Sequence, residues 1–197
     1  MIYSFVWRLG RLIFFLLGLK SRGLHNIPAQ GPVIVAANHV SFWDPVVVAV
    51  VFNRPIHFMA KAELFNYKLL GKLFKKLNAF PVKRGAADKN AIKEAIQVLE
   101  GEKVLGIFPE GTRNRTGQDL KPQLGVAMIA LKTGAPILPV ACLGTERNVP
   151  LGWFSPLEVR VGKLIDLEEF KEQKVNSKVM AQVSDLVTDE INQLLRN

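Results

Sequence analysis

Short apolar runs alternate with longer segments of helical periodicity, and that alternation limits the chain to few architectures. The runs are VIVAA (33–37), IHFMA (56–60), AFPV (79–82), VLGIF (104–108), PILPVAC (136–142) and LEVRVGKL (157–164). Each has strand length and is rich in β-branched or aromatic residues. Residues 42–52, 67–77, 88–100, 123–133 and 176–196 read as helices. The segment 88–100 is punctuated by Asp88 near its start, Ile92, Ile96 and Leu99 in register, and Gly101 as a stop. Strand–helix alternation predicts an α/β fold, with a mixed, largely parallel sheet flanked by helices. No repeat, low-complexity tract or linker divides the 197 residues, which suffice for one domain with a sizeable core.

In such sheets the site lies beyond the strand ends, so the loops that follow strands are the place to look. Three are chemically unusual: NHVSFWDP (38–45), KRG (83–85) and PEGTRNR (109–115). His39 is a candidate general base near neutral pH. A carboxylate on one ring nitrogen would fix its tautomer and stabilise the imidazolium, and Asp44 is the candidate. Five positions do not align two residues on one helix face, but a turn entering a helix can bring Asp44 back. A structural hydrogen bond in a helix cap accounts for the pair equally well. Ser41 lacks the G-x-S-x-G setting of a nucleophile. Arg84 can hold a phosphate through two parallel hydrogen bonds, with Lys83 as a point charge. In PEGTR, Gly111 exposes main-chain N–H groups beside Glu110, Thr112 and Arg113, a set that suits a phosphate and also an ordinary surface turn. The G-x-x-x-x-G-K-[ST] loop is absent.

Charge is segregated. Residues 1–86 carry twelve Lys/Arg against two acids, Asp44 and Glu63, while the remainder has fourteen bases and fifteen acids. One face meeting a polyanion explains this better than a uniformly basic surface. Nucleic acid is not expected, because the basic residues lack aromatic interleaving and no zinc-finger or RNA-recognition signature is present. An anionic membrane surface or a phosphorylated substrate remains.

The N-terminus favours the membrane. In MIYSFVWRLGRLIFFLLGLK, eleven Leu, Ile, Phe or Val contribute roughly −0.3 to −0.6 kcal/mol each to insertion, and two central arginines cost roughly 2.5–3.5 each. The terms nearly cancel, and the length is marginal for a span. KSRG stands where a secretory cleavage site needs small neutral residues. Arg8 and Arg11 share one helix face, as in a helix lying in the interface. The expectation is a membrane-associating helix over 1–22 followed by one domain over 23–197. A second segment, LFNYKLLGKLFKKLN (64–78), has Phe65, Leu69, Leu73 and Leu77 every four residues, with Lys68, Lys72, Lys75 and Lys76 elsewhere on the wheel. It suits either a covered core or a lipid surface. Cys142 is the one cysteine, so there is no internal disulfide, and no metal-ligand spacing occurs around His25 or His57.

These motifs resemble those of the glycerolipid acyltransferases. NHVSFWD resembles their N-H-x-x-x-x-D, FPVKRG their second motif ending in a phosphate-binding Arg, FPEGTRNR their F-P-E-G-T-R-S, and ILPVAC their short apolar strand containing Pro. Order and spacing agree across residues 38–142. Two departures are Lys83, where many members have Asp or Asn, and Asn114 for the frequent Ser. The resemblance implies an acyltransferase domain that moves an acyl group from an acyl thioester, acyl-CoA or acyl carrier protein, to the 2-hydroxyl of 1-acyl-sn-glycerol-3-phosphate. It implies His39 as base and Asp44 as its partner. Arg84 and Lys83 would hold the phosphate, Glu110, Gly111, Thr112 and Arg113 would position the glycerol phosphate, and Pro139 would shape the acyl-chain side. No cofactor beyond the donor and no metal is expected. The expected location is the cytoplasmic face of the membrane, peripheral or monotopic. Glycerol-3-phosphate or another lysophospholipid as acceptor, and a non-catalytic anionic-lipid binder, stay open at this point.

Overall fold

A computed structural model describes residues 2–83, 88–114, 123–146, 156–170 and 172–197. Among the described residues, six helices flank one seven-stranded sheet. The strands are β1 (Lys20–Arg22), β2 (Val33–Ala37), β3 (Ile56–Lys61), β4 (Ala79–Val82), β5 (Val104–Ile107), β6 (Ile137–Leu143) and β7 (Glu158–Val161). The helices are α1 (Ile2–Leu16), α2 (Asp44–Val51), α3 (Lys68–Lys76), α4 (Lys89–Glu100), α5 (Gly125–Thr133) and α6 (Ser177–Arg196). The sheet order is β1-β7-β6-β2-β5-β3-β4. Every pairing is parallel except β6 with β7. The α/β fold and mostly parallel sheet therefore stand as the sequence predicts.

β2 is central because VIVAA has no polar side to show. All five residues are buried, as expected of a strand covered on both faces. Val33, Val35 and Ala37 pack with Phe14 of α1 and Val47 and Val48 of α2. Ile34 and Ala36 face the opposite layer, with Ala95 and Leu99 of α4, Ala127 and Ala130 of α5, and Val183 and Val187 of α6. Each buried Val, Leu or Ile is worth about 1.5–3 kcal/mol, so these two layers carry most of the fold. Right-handed crossovers from β2 to β3 and β3 to β4 put α3 on the same face as α2. Hence α1, α2 and α3 share one face, and α4, α5 and α6 share the other.

Strands and helices fall within two residues of their sequence-predicted limits, except that β7 stops at Val161 rather than 164 and α1 stops at Leu16 rather than 22, where the exposed β1 takes over. The elements not predicted are short. β1 is the exposed tripeptide Lys20–Arg22, which runs parallel to β7 and has no apolar signal. Single 3-10 turns occur at Leu24–Asn26, Ala62–Asn66 and Glu168–Phe170.

Two helices on the α2 face are only partly covered. Trp7 Nε1 donates to the carbonyls of Ala49 and Phe52, both at 3.0 Å, and Phe14 is buried edge-on to Trp43 with centroids 6.1 Å apart. Gly10 lies between them, where a Cβ would stand 3.0 Å from Val50. That side of α1 is fixed to α2. The other side leaves Phe5, Leu9, Leu12, Phe15 and Leu16 exposed. α3 rests on the 3-10 turn before it, through Gly71 and a Phe65–Phe74 contact. Its Leu69, Leu70 and Leu73 are exposed, Leu69 at 86%.

Candidate active site

β2 ends against β5 and β6, and the chemistry collects at that end. The first link is Asn38. Its side-chain Nδ2 donates to the Cys142 carbonyl at 3.0 Å, and its Oδ1 accepts the Cys142 N–H at 2.7 Å. The amide thus extends the β2–β6 ladder by one rung, while the main chain turns away.

That turn delivers His39. Its N–H donates to Glu110 Oε1 at 3.0 Å, and its carbonyl accepts the Asn114 N–H at 2.6 Å, so the β5 loop grips the residue at both main-chain groups. The Asn114 contact uses main-chain atoms, so the departure from Ser leaves it intact. The imidazole stacks on Phe108 at 4.1 Å between centroids, and Phe108 stacks on Phe58 at 5.9 Å. Gly106 makes room for that pile, because a Cβ there would stand 2.3 Å from the Phe58 ring.

Asp44 is the first residue of α2 and is wholly buried. Its Oδ2 lies 2.9 Å from His39 Nδ1 and accepts the N–H groups of Val40 and Ser41, both at 2.7 Å. Its Oδ1 accepts a short hydrogen bond from the Thr145 hydroxyl. All four of its contacts come from donor groups, so both carboxylate oxygens act as acceptors. Nδ1 then carries the proton that points at Asp44, and Nε2 keeps the lone pair. The turn entering α2 does bring the two side chains together. The main-chain donors to Asp44, Val40 and Ser41, lie in the loop before the helix, and α2 has no side-chain cap.

Glu110 has a partner within the protein, His39 N–H, while its Oε2 is buried without one among the described residues. Burial raises its carboxyl above the usual range; the His39 N–H opposes this and the charge of Asp44 adds to it. Gly111 has φ 67°, the left-handed turn that glycine takes readily. Arg113 lies over the exposed Phe42 ring, 3.5 Å from its centroid, and Thr112 is exposed beside it. Lys83 is exposed at the end of β4, three strands from β2 or about 14 Å away. Its N–H donates to Asp88, the N-cap of α4. Arg84 lies outside the described residues.

Two sequence expectations need comment. Pro139 does not reach the His39 side: it is buried in β6, and its Cγ lies 2.8 Å from where a Gly162 Cβ would be, on the α6 side. Residue parity explains this, since Leu138, Val140 and Cys142 take the α2 face and leave Pro139 to the other. Cys142 is fully buried, and burial with the nearby Asp44 charge raises its thiol well above the ordinary value. It stays a thiol and packs in the core. Sequence reading missed Asn38 as a ladder rung, Phe108 as the ring support and Thr145. Asn38 adjoins His39 and was visible; Thr145 carries no motif.

A family model described as Acyltransferase matches residues 18–143. The chain belongs to that acyltransferase family. It is 30% identical to the 1-acyl-sn-glycerol-3-phosphate acyltransferase of Bacillus subtilis (strain 168), over 91% of this chain and 87% of the relative. It is 30% identical to the enzyme of that name from Borreliella burgdorferi, over 88% of this chain and 74% of the relative. Among solved structures, the 1-acyl-sn-glycerophosphate acyltransferase PlsC of Thermotoga maritima superposes with a TM-score of 0.75 at 27% identity. That match covers all of this chain and 80% of the other. In this chain, His39 is hydrogen-bonded to both Asp44 and Glu110 at the C-terminal ends of β2 and β5, and Arg113 follows Glu110 in the β5 loop.

Proposed function

We propose that this acyltransferase transfers an acyl group from a thioester to the 2-hydroxyl of 1-acyl-sn-glycerol-3-phosphate, yielding phosphatidate. The observation that carries the reading is the buried Asp44 carboxylate on His39 Nδ1. It leaves Nε2 as the base. Nε2 takes the hydroxyl proton as the oxygen attacks the thioester carbonyl. The tetrahedral intermediate then collapses, the C–S bond breaks, and the imidazolium returns the proton to the leaving thiolate. Such a base is worth roughly 10²–10⁴-fold. Two bound substrates supply more by making the step effectively unimolecular. No acyl-enzyme forms, in keeping with the buried Cys142 thiol, and no cofactor beyond the donor takes part.

For the acceptor, Arg84 and Lys83 bind the 3-phosphate, with Arg113 nearby. Glu110 Oε2 accepts a hydrogen bond from the glycerol part. Gly111 and Thr112 complete the loop that positions it. The acyl chain enters from the membrane. Arg8 and Arg11 border the exposed apolar side of α1 on the helical wheel, an arrangement suited to an interfacial helix. No described helix is long and apolar enough to cross a membrane. α3 offers four lysines beside its exposed leucines on the same face, so both helices meet an anionic leaflet, the enzyme being peripheral or monotopic on the cytoplasmic side. Each well-placed lysine is worth roughly 1 kcal/mol there.

The test is a radiolabelled transfer assay crossing acyl-CoA and acyl carrier protein donors with lysophosphatidate, glycerol-3-phosphate and lysophosphatidylcholine. Product with lysophosphatidate, abolished by His39→Ala with fold and liposome binding retained, is the expected result. Preference for glycerol-3-phosphate would move the assignment to another acceptor. Near-normal turnover in His39→Ala would remove the base.

A further inference from the structure

Asp44 has two carboxylate oxygens and no solvent. Oδ2 has three donors from its own loop, His39, Val40 and Ser41. Oδ1 is served by the Thr145 hydroxyl, from 101 residues away in sequence and itself wholly buried. The chain is constrained to deliver that hydroxyl. Asn38 ties Cys142 to the end of β2. Gly144 follows at φ 78°, with the Pro156 carbonyl oxygen 2.2 Å from any Cβ it could carry. Only glycine passes that point, and the next residue is Thr145.

We propose that Thr145 is a positioning residue for the His39–Asp44 pair: its hydroxyl holds Oδ1, so that Oδ2 stays aligned with His39 Nδ1–H. The proposal rests on the reading of His39 as base given above. The terminal torsion of a carboxylate is soft and twofold, so contacts to Oδ2 alone leave the plane less determined. A second donor on Oδ1 fixes the plane. The other titratable groups whose charge bears on Asp44 are Glu110 from the β5 loop and Cys142 from β6, and neither donates to Oδ1. In a site without water, the hydroxyl lost from residue 145 is not replaced, and bonds to charged acceptors are the stronger kind.

Thr145→Val keeps the shape and removes the donor, whereas Thr145→Ser keeps the donor and removes a methyl. For Val, kcat should fall about tenfold or more while KM for both substrates stays within about threefold. Ser should return kcat to within about threefold of wild type. In an Asp44→Asn background, Thr145→Val should add almost nothing, because both changes act through one carboxylate. Equal losses in Ser and Val would assign the effect to methyl packing and overturn the proposal. Wild-type kcat in folded Thr145→Val would do the same, as would a full extra loss on Asp44→Asn. If Thr145→Val does not fold, Thr145→Cys, with similar volume and a weak donor, should fall between Ser and Asp44→Asn; a value equal to Ser overturns the proposal. A second readout needs no turnover: the downfield proton resonance of His39 Nδ1–H should persist in Ser and move upfield in Val or Cys. It separates failure of this proposal from failure of the acyltransfer reading. An enzyme inactive on every acceptor but with this resonance shifted would still show Thr145 orienting Asp44, and an unshifted resonance would refute it.

Discussion

Gly106→Ala should travel through two aromatic rings to the base. Gly106 lies on the α2 side of β5, paired with Phe58 in the ladder. An added Cβ would stand 2.3 and 2.4 Å from two Phe58 ring carbons and 2.9 Å from Ile56 Cγ2. Carbon atoms settle at about 3.5–4.0 Å, so the Phe58 ring must recede by about 1.2 Å or more. Overpacking of this kind costs about 1–3 kcal/mol. For a chain of this size each kcal/mol lowers Tm by about 2–4 °C, so a drop of about 2–12 °C is expected. Phe58 stacks on Phe108 and Phe108 on His39, so the displacement reaches the imidazole. A misplacement near 1 Å can cost about 10²-fold in rate. The assay is thermal unfolding together with kcat at saturating substrates. Adding Phe58→Leu should restore much of the lost Tm by vacating the contested space. A Gly106→Ala protein with wild-type Tm would refute the packing argument. Lowered Tm with unchanged kcat would refute the transmission through the rings.

Other outcomes follow from single contacts. Asn38→Leu strands the Cys142 N–H and carbonyl in the core, and chemical denaturation should show a loss of about 2–6 kcal/mol. For Glu110, burial raises the folded-state pKa, so its contribution to stability is full below the usual carboxylate range and is lost as pH rises through the raised value. The unfolding free energy of wild type relative to Glu110→Gln should therefore decline as pH rises above the usual carboxylate range; a flat difference would contradict the raised value. Cys142→Ala should keep kcat within about twofold, and a thiol alkylator should spare the native wild type, since the thiol is buried and protonated. Replacing Lys72, Lys75 and Lys76 by Glu should weaken sedimentation with anionic liposomes and leave zwitterionic ones unaffected, with a loss of roughly fivefold or more per lysine.

Much of the fold was legible because the signals were local. VIVAA has no polar face, and a five-residue strand without one must be central. The α4 helix announced both of its ends. β1 was invisible for the opposite reason: Lys-Ser-Arg pairs through main-chain atoms and its side chains are exposed. In the site, His39 and Asp44 could be read because a short turn joins them. Thr145 could not, because its partner lies across two strands and a hydroxyl has no pattern of its own. That Pro139 faces α6 was not legible, because motif membership does not say which side of a strand a residue takes. The stripe on 64–78 is helical only over Lys68–Lys76, with Phe65 in the 3-10 turn before it, and periodicity does not reveal whether protein or lipid covers it.

The hold on His39 has a consequence for anyone wishing to redesign this enzyme. Val40, Ser41 and Asn114 contribute N–H groups to it, two to Asp44 and one to the His39 carbonyl. Nineteen amino acids carry that group and one does not. A saturation library at these three positions should therefore show a single shared prohibition, proline, whatever else each site tolerates. Acceptor range could be varied there while the base stays in place.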